Sequence, residues 1–126
     1  MVGLVREGVE AVSSGVIGIL QFAIDGITSQ QSATANNIAN EATPGYTATE
    51  VNFEQSLSQA LGSSGTQLSQ VSKSPYAGPA ATNGNNVDIG SEMVNAEQET
   101  LHYQAVTESL NAQFRLIQGA SGGSYQ

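Results

Sequence analysis

At 126 residues the chain has room for one domain with a modest core. Its eleven acidic residues against three basic ones give a formal net charge of −8, which excludes an electrostatic footprint for nucleic acid or for an anionic membrane surface. The absence of cysteine removes disulfide frameworks, thiol catalysis and cysteine-based metal sites, and a composition only 39% hydrophobic and 11% charged gives weak hydrophobic driving force per residue, so some segments are expected to order only on assembly.

Residues 1–16 place Gly3, Gly8 and Gly15 among Val2, Leu4, Val5, Val9 and Val12, a frayed or conditional helix of uncertain order. From residue 17 to about 41 the pattern firms into a helix. Ile17, Leu20, Ile24, Ile27, Gln31, Thr34 and Ile38 alternate by three and four, the spacing of a heptad seam. Gln31 and Thr34 weaken that stripe, which in a paired helix fixes register at a cost in stability. Gly18 and Gly26 would each cost about 1 kcal/mol relative to alanine in a helix interior, so this helix is not expected to stand alone. The apolar run Val16–Ile24 is roughly nine residues, well short of the ~20 needed to span a bilayer. Neither a cleavable signal nor a membrane-spanning segment is expected.

The helix closes in Asn36, Asn37, Ile38, Ala39 and Asn40, whose amides compete for backbone groups and suit a helix end. A turn follows through Thr43, Pro44, Gly45 and Tyr46. Proline at its second position and glycine at its third predict type II, where the third residue needs positive φ. Tyr46 to Asn52 reads as extended, and Phe53, Leu57, Ala60 and Leu61 mark a short amphipathic helix stopping at Gly62. Residues 62–86 are rich in Gly, Ser, Thr and Asn and carry Leu68, Val71 and Tyr76 as isolated anchors. So long a loop is uncommon in a compact domain, and the expectation is a mobile segment or one laid along a neighbour.

Asn83-Gly84-Asn85-Asn86 is a turn signal into the last helix, expected over about 87–118 with Asp88 as its N-cap. Ile89, Met93, Ala96, Thr100, Tyr103, Thr107, Leu110, Phe114 and Ile117 alternate by four and three along a helix roughly 45 Å long. Leu101, Val106 and Leu116 lie off that seam. The apolar surface is therefore wider than one antiparallel partner covers, and helices of other chains are its expected cover. Gly119 is expected to end the helix before a flexible tail, 119–126. The fold class is mainly α: two long terminal helices packed as an antiparallel, coiled-coil-like pair, with a short third helix and an extended, loop-rich middle.

The stretch Asn36-Asn37-Ile38-Ala39-Asn40 with Thr43-Pro44-Gly45-Tyr46 resembles the N-terminal signature shared by axial proteins of the bacterial flagellum, the rod, hook and hook-associated proteins. Asn83 to Asp88, followed by Glu92-Met93 and Tyr103-Gln104-Ala105, is similar to the C-terminal half of their proximal rod members. The resemblance spans about Leu20 to Ile117. It implies a structural subunit of the periplasmic rod, exported by the flagellar type III apparatus without signal cleavage, with terminal helices packed among neighbours around a central channel. The partners it implies are further copies of the chain and other axial proteins (FliE, FlgC, FlgF and FlgG), with the MS ring and the export gate as further contacts. The nine signature residues are then an assembly element that sets the exit of the first helix. Ile24, Ile27, Met93, Leu101, Tyr103, Val106, Leu110, Phe114, Leu116 and Ile117 are the expected packing residues between subunits.

Catalytic readings are weak beside this one. Glu92, Glu97, Glu99 and Glu108 do not converge by spacing on a pocket, His102 is a lone imidazole, and no serine stands in a nucleophile elbow. No cofactor is expected. The alternatives are another axial protein such as FlgC, or a soluble coiled-coil adaptor or secreted binding module that binds one partner without polymerising.

Overall fold

The computed structural model describes residues 2–62 and 71–122. Helix α1 runs from Val2 to Ala39, strand β1 from Thr49 to Val51, helix α2 from Phe53 to Gly62, strand β2 from Lys73 to Pro75, and helix α3 from Ile89 to Gly122. The protein is mainly α-helical, and the two long helices, roughly 57 and 51 Å at 1.5 Å per residue, pack against each other. They run antiparallel. Asn37 near the end of α1 bonds Glu92 at the start of α3, Thr34 bonds Glu99, and Val106 packs near Phe22, Ala23 and Ile27.

Both helices exceed the spans read from sequence. α1 is continuous from Val2, so residues 2–16 share one helix with the segment expected to begin at 17, and their glycines stand in open space. By length and composition α1 is apolar enough to cross a membrane, which the nine-residue reading of Val16–Ile24 does not register. α3 passes through Gly119 to Gly122. The middle is also more regular than an extended loop. β1 and β2 pair antiparallel, Thr49 with Pro75, Glu50 with Ser74 and Val51 with Lys73, and Asn52 N–H donates to Ser72 O at 2.9 Å. Pro75, which has no N–H to offer, sits at the end of its strand. Leu68 lies outside the described residues, while Val71 packs against the core.

That core is small: Phe22, Ala23, Ile27 and Phe53, with Val51, Leu57, Val71 and Val106 packed on it. Phe53, the first residue of α2, lays its ring directly over Gly26 of α1, where a Cβ would fall inside the ring. Its centroid lies 6.2 Å from that of Phe22 in a tilted pair. The helix propensity lost at Gly26 is thus exchanged for a docking seat.

The contact rows of the helix pair are shifted from the predicted seams. On α1 the inward row is Leu20, Ala23, Ile27, Gln30, Thr34 and Asn37; on α3 it is Glu92, Ala96, Glu99, Val106, Leu110, Gln113, Ile117 and Ala120, with Tyr103 at its exposed edge. Leu20, Ile27, Thr34, Ala96, Tyr103, Leu110 and Ile117 belong to both the predicted and the observed rows. The other half of each predicted seam is displaced by one residue, so that Ile89, Met93 and Phe114 face outward while Glu92, Glu99 and Gln113 face in. Polar pairing explains the shift. Thr34 and Asn37 offer donors to the α3 glutamates, so that one oxygen of each is held on a face that an apolar count would send to solvent.

Candidate assembly site

The signature residues lie where the end of α1, β1 and the start of α3 converge. The Thr43–Tyr46 turn forms as expected: Tyr46 N–H donates to Thr43 O at 3.3 Å, and Gly45 takes φ +73°. Asn40 closes the helix, its Nδ2 donating to Asn36 O at 2.8 Å while its Oδ1 accepts from Thr43 Oγ1 at 3.1 Å. Asn36 and Ala39 are exposed and Ile38 is half-buried.

Asn37 is the centre of the arrangement and is almost fully buried. Its Nδ2 donates to Thr49 O at 3.0 Å and to Glu92 Oε1 at 3.1 Å. Its Oδ1 accepts from Thr49 N–H at 2.9 Å and from Tyr46 O–H at 3.2 Å. One amide therefore links the first helix, the turn, the strand and the last helix.

Asn85 and Asn86, read from sequence only as turn residues, complete a clasp. Asn85 Nδ2 donates to Asn40 O and Thr43 O, both at 2.8 Å, adding a second donor to carbonyls that each accept one backbone N–H in the turn where α1 ends. Asn86 Oδ1 accepts from Ala48 N–H at 2.7 Å, and its Nδ2 donates to Tyr76 O at 2.8 Å. The two turns also touch through backbone. Gly45 N–H donates to Asn83 O at 2.9 Å, and Gly84, at φ +82°, lies against Gly45 so closely that a Cβ there would come 3.3 Å from the Gly45 Cα. Positive φ favours glycine at both positions, and close approach adds to this at Gly84.

Asp88 caps α3: its Oδ1 accepts from Ser91 N–H at 3.2 Å, which lowers the Asp88 pKa. Further along, Glu92 and Glu99 stand one heptad apart on the inner face. Burial is the main cause raising both their pKa values; the hydrogen bonds from Asn37 and Thr34 oppose it. Among the described residues no three His, Asp or Glu side chains form a metal-holding group.

The residues expected to pack between subunits divide into three sets. Ile27, 1% exposed, is consumed by the chain's own core, and Val106 packs on that core. Ile24, Leu110 and Ile117 are half-buried. Met93, Leu101, Tyr103, Phe114 and Leu116 remain exposed, Leu101 by 64% and Phe114 by 45%. Leu4, Val5 and Val12 on the first turns of α1 are more exposed still. The helix pair thus buries Thr34, Asn37 and Glu99 beside its small apolar core while leaving large apolar side chains on its outer face, an arrangement unlike that of a chain that works alone.

Three curated proteins are similar to this chain. It is 34% identical over 117 residues to the flagellar basal body rod protein FlgB of Bacillus subtilis (strain 168), covering 82% of this chain and 91% of that protein. It is 29% identical over 110 residues to the protein of the same name from Aeromonas hydrophila, covering 75% and 83%. With that of Cereibacter sphaeroides it shares 30% over 89 residues, covering 60% and 70%. No family model matches the chain.

Proposed function

Since the chain belongs to the FlgB family of flagellar basal body rod proteins, we propose that it is a non-enzymatic structural subunit of the proximal rod, polymerising through its terminal helices around the export channel. The observation that carries this reading is the row of large apolar side chains left on the outer face of the helix pair. Leu101, Phe114 and Leu116 on α3, and Leu4, Val5 and Val12 on α1, are left without cover by the described residues. Neighbouring helices supply it at ~25 cal/mol per Å² of apolar area, and repeated heterologous contacts extend the rod.

α1 is read as a packing helix, although its composition would pass for a membrane span. Its second half is occupied by α3 and α2 through Phe22, Ile27, Thr34 and Asn37, which supports packing against protein over spanning a bilayer. The neighbours in this reading are further copies and the axial proteins FliE, FlgC, FlgF and FlgG, with the MS ring and export gate at the base. The place is the periplasmic part of the basal body, reached by type III export without signal cleavage.

The test is rod assembly in cells carrying Leu101→Ser together with Phe114→Ser. Basal bodies isolated from them should lack rods while the variant is still exported. Rods in normal number would sink the proposal.

A further inference from the structure

Between α1, β1 and the first turns of α3 lies a cleft of about 460 Å³ that the clasp leaves open. Glu50, Glu54, Asp88, Glu92 and Glu99 all line it. Exposed carboxylates alone would make a solvated surface, but Glu99 differs from the rest. It is 8% exposed, its Oε1 accepts from Thr34 Oγ1 at 2.8 Å, and its Oε2 is buried with no hydrogen-bond partner. A carboxylate oxygen in that position carries an unmet desolvation cost; Glu92 opposes its charge, and His102, which also lines the cleft, favours it only weakly by comparison with burial. The last torsion of a glutamate is broad and two-fold, so either oxygen of Glu99 can turn toward the cleft.

We propose that this cleft receives a lysine or arginine side chain from a neighbouring chain of the rod, whose ammonium or guanidinium donates to the open oxygen of Glu99. The inference rests on the rod-subunit reading above. Charge selects the occupant: an apolar segment would strand the carboxylates, and an anion would be repelled. A second copy is poorly equipped, because the chain has three basic residues and Arg6 is paired with Glu10. A more basic partner chain supplies what this one lacks, in a charge-assisted bond.

The experiment titrates the isotope-labelled full-length chain with acetyl-arginine amide, its neutral citrulline counterpart and putrescine, following backbone amide shifts. Arginine or putrescine should produce saturable shifts confined to the cleft's lining, residues 30–34, 49–54, 76 and 88–102, and citrulline none. Glu99→Gln should weaken arginine binding at least fivefold with helicity retained, and Glu50→Gln, at the exposed mouth, about twofold. Equal shifts from citrulline, shifts spread over Glu7, Glu10 and Glu108, or an unchanged affinity in both variants would overturn the inference, while the stronger of arginine and putrescine tells which cation the cleft prefers. Failure here would leave the rod-assembly test of Leu101 and Phe114 standing, so the two readings fail separately.

Discussion

The side chain of Asn37 meets the backbone of Thr49 as a neighbouring strand would, giving a hydrogen bond to its carbonyl at 3.0 Å and taking one from its N–H at 2.9 Å. Asn37→Ala leaves those groups, Tyr46 O–H and Glu92 without their partner, at a cost of about 3 kcal/mol for a buried network. Asn37→Asp keeps the acceptor, loses both donations and faces Glu92 with a second carboxylate. Thermal unfolding at pH 7 should rank it no better than the alanine variant, with part of the loss recovered at pH 5. An aspartate variant as stable as the native chain at pH 7 would refute the role given to the amide.

Two glycines of α1 should respond in opposite directions. Gly26→Ala drives a methyl into the Phe53 ring and should destabilise by about 1–3 kcal/mol, despite the better helix propensity of alanine. Gly18→Ala meets nothing within 4 Å and should stabilise by about 0.5–1 kcal/mol. Urea midpoints of the pair decide it; a shift of the same sign in both would mean that Phe53 does not sit where described.

The buried glutamates set a pH dependence. Glu99 and Glu92 have folded-state pKa values raised above the ordinary 4.5, chiefly by burial, so the folded chain binds protons more tightly than the unfolded one. Their contribution is complete below about pH 4.5 and is lost as pH rises through the raised values. Between pH 7 and 5 the melting temperature should therefore climb on acidification, and Glu99→Gln should flatten the climb. Below that window Asp88, whose pKa is lowered by its capping bonds, works the other way, losing its contribution as acid protonates it.

At the turn, Gly45→Ala places a Cβ on a residue at φ +73° and should cost about 1–2 kcal/mol. Replacing Pro44-Gly45 together by Ala-Ala should stop incorporation into rods while leaving export intact, scored by immunoblots of periplasmic, medium and basal-body fractions. Wild-type levels in the basal-body fraction would remove the turn from the assembly mechanism.

The helix pair, the type II turn and the Asp88 cap are legible in the chain because each rests on local rules: three-and-four spacing, Pro-Gly order, and an acid before an apolar run. The facing row is only half legible. Ala96, Tyr103, Leu110 and Ile117 are placed correctly by periodicity, yet Glu92 and Glu99 read as a solvated face, since nothing in α3 itself announces that Asn37 and Thr34 wait opposite. The same holds for Gly26, whose apparent weakness is explained only by an aromatic ring 27 positions away. Asn85 and Asn86 give a clear turn signal and no hint of their reach to Thr43, Ala48 and Tyr76. Each miss is a long-range partnership of polar or small residues, to which hydrophobic periodicity is blind.

The antiparallel course of α1 and α3 puts the clasp at one pole and both ends of the described chain at the other. Tension that separates those ends would peel the hairpin open from its free tips, breaking few contacts at a time and reaching the asparagines last. Load applied along the helix axes would instead shear the whole length at once. The subunit is thus mechanically anisotropic, compliant to being prised apart and stiff to sliding.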